Sequence, residues 1–282
     1  MAAGTVGVLH NRTMTCMPSS VVSAILLWSL CVASSVFGQT RRMTDANSNL
    51  WITHWGDHRL SEHWSFHTEG HWRRADLGKN WQQFLLRPAV NYHVNEHLMF
   101  TVGYSYYTNY AYGEYPIRFS NWEHNVYEQV QLSNSFGRLK ITHRFRLEQR
   151  FLAKIRTSES DPNGTELERY VYQSRVRYRV GLTVPLGKHE KIEPGVFSAN
   201  VYDEVFLNFG DTERLDHIQQ NRVSALLGYQ VNKPLNLMLG YLLQTIQRPS
   251  AAAGSDLVEM NSTVHLALVY NLDLRTKAAA KQ

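Results

Sequence analysis

The stretch LKITHRFRLEQRF, Leu139–Phe151, alternates along its length. Lys140, Thr142, Arg144, Arg146, Glu148 and Arg150 take every second position, and Leu139, Ile141, Phe145, Leu147 and Phe151 fall between them. On a helix those apolar residues would scatter around the axis. On a strand, where side chains alternate with period two, they share one face and the charges share the other. The stretch therefore predicts a strand with an apolar side and a cationic side. It is also longer than the roughly 5 to 6 residues usual in soluble sheets, and longer than the about 9 to 11 that a tilted membrane-spanning strand needs.

The same alternation recurs down the chain. Trp64, Phe66 and Trp72 alternate with His63, His67, Glu69, His71 and Arg73. Leu86, Val90 and Tyr92 oppose Arg87 and Asn91, and Leu98, Phe100, Val102, Tyr104 and Tyr106 oppose Thr101, Gly103 and Ser105. Tyr172, Val176, Tyr178 and Val180 oppose Arg175, Arg177 and Arg179, and Val264, Leu266, Leu268 and Tyr270 oppose Thr263 and His265. No long amphipathic helix is legible. Long strands with apolar-out and polar-in faces predict an all-β, antiparallel transmembrane β-barrel.

Connection lengths give a direction. Short ones at Asn95–His97, Asn134–Arg138, Pro185–Glu190 and Asn232–Pro234 alternate with longer ones at Tyr110–Asn121, Thr157–Glu168, Gly210–Asp216 and Gln247–Leu257. In outer-membrane barrels the short turns are periplasmic and the long loops extracellular. Counting from Glu62 gives ten strands over residues 62–274, with both ends periplasmic. LWITHWG, Leu50–Gly56, is left over in segment 39–61, as an extra strand, a plug, or half of a pair that would make twelve. Trp64, Trp72, Trp81, Tyr92, Tyr104, Tyr106, Trp122 and Tyr270 lie near strand ends, where an interfacial girdle belongs.

The N-terminal run Val21–Ala33 is apolar or small throughout, follows Arg12 and is too short for the about 20 residues of a membrane-spanning helix. It predicts a signal peptide over residues 1–38, cleaved after Gly38. Both cysteines, Cys16 and Cys31, fall within it, which suits export through an oxidising compartment. Together these place the protein in the outer membrane of a two-membrane bacterium. The net charge is +5, or +4 without the segment, whose one charged residue is Arg12. That is too mild and too scattered to argue for nucleic acid. Residues 275–282 read as a polar tail.

Six blocks then carry a resemblance. NVYEQ (Asn125–Gln129), THRFRLEQRF (Thr142–Phe151), RVRYRV (Arg175–Val180), DEVFLNF (Asp203–Phe209), QNRVSALLGYQ (Gln220–Gln230) and LMLGYLLQ (Leu237–Gln244) resemble, in order, those of the domain of unknown function 2490 family. The resemblance spans roughly Leu50 to Leu272, and its members look like uncharacterised bacterial outer-membrane barrels. It implies a fold and a location but no activity, cofactor or catalytic residue. The chain departs from such barrels at its end: they commonly finish in an aromatic that the barrel assembly machinery recognises, whereas YNLDL is followed by RTKAAAKQ, leaving Tyr270 for that role.

A narrow barrel is filled mainly by side chains. The phase of the strands turns Arg87, Arg144, Arg146, Arg150, Arg175, Arg177, Arg179 and Arg222 inward, facing Glu69, Glu123, Glu148 and Glu204. Buried charges must be paired or hydrated. Two readings follow: an arginine–carboxylate ladder that cements the lumen, or a cationic path or pocket for a small anionic ligand. Catalytic patterns fit poorly. Gly103 in GYSYY does not open a G-x-S-x-G elbow, and outward His143 has Phe145 rather than serine two residues on. Asp211, Asp216 and His217 are the only rim cluster for a protease. His63, His67 and His71, spaced four apart, lie about 13 Å from one another on a strand, too far to share one metal. DPNGTELE from Asp161 lacks calcium-loop spacing. The expectation is a non-catalytic barrel, with outer-membrane lipid and the assembly machinery as partners. A rim hydrolase, or an adhesin acting through the long loops, is the alternative.

Overall fold

Alternation becomes geometry in the computed structural model, which describes residues 41–275 apart from 162, 210–217 and 250–254. The predicted signal peptide with both cysteines, the Asp211, Asp216 and His217 cluster, and the tail from 276 lie outside the described residues. Eleven strands are described: β1 (Arg41–Arg59), β2 (Trp64–Ala75), β3 (Asn80–His93), β4 (Leu98–Asn109), β5 (Asn121–Phe136), β6 (Leu139–Thr157), β7 (Thr165–Pro185), β8 (Phe197–Phe209), β9 (Gln220–Gln230), β10 (Leu235–Pro249) and β11 (Ser255–Tyr270). Each pairs with its chain neighbours, and β1 meets β11 to close the barrel. Closure leaves no free sheet edge.

β6 shows how the pattern is used. Phe145, Leu147 and Phe151 are 47%, 43% and 40% exposed on the outer surface, while Arg146 and Glu148 between them are 3% and 0% exposed. The same division holds around the wall, so the outer surface is a belt of Leu, Val, Phe and Tyr and the interior is polar. Aromatic groups mark the two ends of the belt. Trp64 packs on Tyr92 at 4.9 Å between ring centres near one rim. Toward the other, Trp81 lies 6.0 Å from Trp72 and 5.3 Å from Tyr110.

The eleven described strands fall between the expected count of about ten and the alternative of twelve. Residues 41–59 form one full strand in the wall. The sequence hides it because the outward side of its first half is Thr44, Ala46 and Ser48, which carry no apolar signal. Its inward set, Asp45, Asn47, Asn49, Trp51 and Thr53, is buried.

An odd count has a topological consequence. Antiparallel neighbours alternate in direction, so a first and an eleventh strand run the same way. Asn49 donates to Asn261 (2.9 Å) and Thr53 meets His265 (3.0 Å), both partners advancing together, and Arg59 bridges Asp273 in parallel. The seam is parallel, and the expected all-antiparallel wall is corrected there. Gly56 permits it: a Cβ at that position would sit 2.0 Å from the Tyr270 carbonyl oxygen. The two ends of the wall consequently lie at opposite rims, not at the same one as ten strands required.

The turns at 60–63, 94–97 and 137–138 share the rim where β11 ends. So does the 186–196 connection, which is longer than the short Pro185–Glu190 turn the sequence suggested.

Candidate functional site

β6 and β7 bring the cations together. In their ladder Arg144 faces Arg179, Arg146 faces Arg177 and Glu148 faces Arg175. Two rows of like charge side by side repel, and Glu148 relieves them. Its Oε2 accepts from Arg175 Nε at 2.6 Å and its Oε1 from Arg177 Nη1 at 2.7 Å. On β8, Glu204 Oε1 accepts from Arg144 Nη2 at 2.6 Å and Arg177 Nη2 at 2.8 Å. On β5, Glu123 holds Arg150 by a two-pronged pair, both contacts 2.7 Å. On β2, Glu69 accepts from Arg87 Nη1 at 2.5 Å. Fork-to-carboxylate pairs of this kind are the strong form of the interaction, and burial is tolerable because the charges meet.

All twelve charged residues expected to turn inward face the lumen, but carboxylates do not reach every arginine. Arg146 bonds the Gln129 amide oxygen through Nε (3.0 Å) and Nη2 (2.7 Å), and Glu148 is 3.9 Å away. Among the described residues no carboxylate lies within 4.0 Å of Arg179, Arg222, or Arg73 on β2. These three rest against aromatic rings instead.

Among the described residues the three bulkiest fully buried side chains are Trp51, Tyr127 and Phe206. Arg73 lies 3.9 Å and Arg222 5.3 Å from the Trp51 ring centre. Arg222 continues to Phe206 at 4.8 Å, and Arg177 reaches the same ring at 4.5 Å. A second group sets Arg146 (4.1 Å) and Arg87 (5.6 Å) on Tyr127, and Arg179 lies 5.0 Å from Tyr202. Each such contact contributes about 0.5 to 2 kcal/mol, but a ring quadrupole does not cancel a charge. The sequence reading passed over these rings. Their phase was available, since Tyr127 is four residues from Glu123 and Phe206 two from Glu204, on the same strand faces.

The cations surround a cavity of about 630 Å³ lined by ten arginines and four carboxylates, Asp57, Glu69, Glu123 and Glu204. At the rim where β1 begins, the 110–120 connection turns over the wall. Tyr112 donates its hydroxyl to Glu259 of β11, and Asp45 Oδ1 and Oδ2 accept from the Glu114 and Tyr115 backbone N–H groups at 3.3 and 3.4 Å. Arg248 ion-pairs with Glu259 and donates to the Tyr115 carbonyl at 3.4 Å. Burial, with the Glu259 carboxylate beside it, pushes the Tyr112 phenol above its ordinary pKa, so it stays a donor at neutral pH.

The other candidates sort by location. His67 lies 2.7 Å from Asp57 and 3.3 Å from Glu69, and His71 lies 2.5 Å from Glu69, while His63 sits exposed at the rim. His143 faces outward, its Nδ1 2.8 Å from the Tyr178 hydroxyl. Asp161 accepts from the Asn163 N–H at 2.9 Å within an exposed turn.

The family model described as "Protein of unknown function (DUF2490)" matches residues 48–254. The chain belongs to the DUF2490 family. The DUF2490 match starts within β1 and stops before β11, short of the Leu272 limit of the sequence resemblance. It contains every residue of the ladder. No curated protein and no solved structure matches the chain.

Proposed function

We propose that the protein is a non-catalytic outer-membrane β-barrel whose lumen binds or passes small anions. The apolar outer belt, its aromatic rims and strands of 11 to 21 residues support the membrane setting. Outer-membrane lipid is then the partner of the belt. Tyr270, the last residue of β11 and exposed on the outer surface, is the aromatic offered to the assembly machinery.

One observation carries the anion reading: ten arginines line the cavity, against six carboxylates that line it or pair with those arginines, Asp57, Glu69, Glu123, Glu148, Glu204 and Glu259. Three of them reach no carboxylate within ion-pair distance among the described residues. A low-dielectric wall holding excess positive charge focuses a potential that attracts anions and repels cations.

Planar bilayers containing the refolded protein test this under a KCl gradient. A reversal potential on the chloride side is expected. Cation selectivity, or the absence of any conductance together with no anion binding, overturns it.

A further inference from the structure

The excess charge is not spread evenly. It concentrates where β1, β2, β9 and β11 face the cavity around Trp51. Arg73 there is 4% exposed, and its hydrogen bonds run to neutral or shared groups: Nη1 donates to the Gln83 amide oxygen and Nη2 lies 3.1 Å from His71 Nδ1. Its Nε is buried without a partner. The acid behind His71 is Glu69, which already accepts from Arg87 at 2.5 Å.

Arg222 is in the same position. Oriented by its hydrogen bonds, the Gln220 amide oxygen accepts from Arg222 Nε at 2.7 Å and Nη2 at 3.0 Å, and from Gln244 Nε2 at 2.7 Å. Glu204 stands opposite Arg222 in the β8–β9 ladder, but its Oε1 is taken by Arg144 and Arg177. The third member is His265 of β11, 3% exposed, with Nε2 held by Thr53 Oγ1 at 3.0 Å and Nδ1 buried without a partner. Arg73, Arg222 and His265 all line the 630 Å³ cavity.

Two guanidinium charges are held by amides and aromatic rings, and Arg73 Nε is left without an acceptor, so the pair forms a receptor that lacks its counter-charge. Buried donors without acceptors carry a desolvation penalty that a ligand oxygen would remove. Guanidinium groups offer paired N–H donors matched to oxyanions. The cavity volume falls within the about 300 to 1,000 Å³ typical of small-molecule pockets, larger than a bare ion needs.

We propose that the Trp51 side of the lumen, between Arg73 and Arg222 with His265 at its edge, is a binding subsite for a small phosphate-type oxyanion, either free phosphate or a phosphomonoester. The subsite rests on the anion-favouring lumen proposed above and gives it a location and a ligand class.

Isothermal titration of inorganic phosphate into the full refolded barrel, at fixed ionic strength, tests it. Saturable binding is expected, weakened at least tenfold by Arg73→Gln and by Arg222→Gln. Lys140→Gln, at the exposed end of β6, should leave it unchanged. Gel migration with and without boiling verifies that each variant is folded. Should the glutamine variants not fold, Arg73→Lys and Arg222→Lys keep the charge but lose the fork, and weakened binding is expected of them too.

A parallel titration with glycerol phosphate separates the ligand sources: whichever of the two binds more tightly is the form the subsite takes. No phosphate binding by a barrel that remains chloride-selective overturns the subsite alone. Phosphate binding that is indifferent to the Arg73 and Arg222 changes overturns it as well. Loss of chloride selectivity in the unmodified protein is the separate failure of the lumen reading.

Discussion

Glu148 is the residue on which the interior charges turn. It is fully buried and meets Arg175 and Arg177 at 2.6 and 2.7 Å, so removing its charge leaves Arg175 without a carboxylate and Arg177 with Glu204 alone. Glu148→Gln should lower stability by about 3 to 5 kcal/mol, the usual consequence of breaking a buried pair from one side. Urea unfolding of the detergent-solubilised barrel measures it. An unchanged midpoint would mean that these charges are hydrated rather than paired. Gly103 is a second fixed point, because a Cβ there would lie 2.5 Å from Cζ of Tyr127, the ring on which Arg87 and Arg146 rest. The charged residues of the site were legible in sequence, since alternation fixes which face a side chain takes. Their partners were not. Which guanidinium meets Glu204 depends on register across three strands, and no local pattern in Arg144, Arg177 or Arg222 states that register.

At the scale of elements, alternation revealed the strands wherever one face is apolar, as in β6 and β7. It missed the first half of β1, where Thr44, Ala46 and Ser48 face outward and only burial distinguishes the two sides. The parallel seam followed from that strand, because it alone makes the count odd. The 110–120 connection was expected as an exposed loop, and its length is as predicted. Its fold over the mouth depends on Asp45, Arg248 and Glu259, which are distant in sequence and could not be assigned to it from pattern. A loop fastened by one buried phenol and a few backbone hydrogen bonds narrows the entrance to the cavity. Deleting residues 111–119 should therefore raise single-channel conductance several-fold and leave the sign of the reversal potential unchanged, as recorded in planar bilayers. Conductance equal to that of the unmodified protein would show that the constriction lies deeper, among the arginines.

For the whole molecule, the wall and its contents support each other. Arginines can fill the interior only if the outside is shielded by something as apolar as the belt of Leu, Val, Phe and Tyr. Exclusion of water from such a belt is favourable. On the proposed reading this belt of the closed barrel faces lipid, and the lumen acts as a path or receptor within a membrane. Isolation of the outer-membrane fraction, followed by gel migration with and without boiling, reads this most directly. The protein should partition with that fraction and run as a compact, fast-migrating species until boiled. Recovery as a soluble periplasmic protein whose mobility does not change on boiling would contradict it.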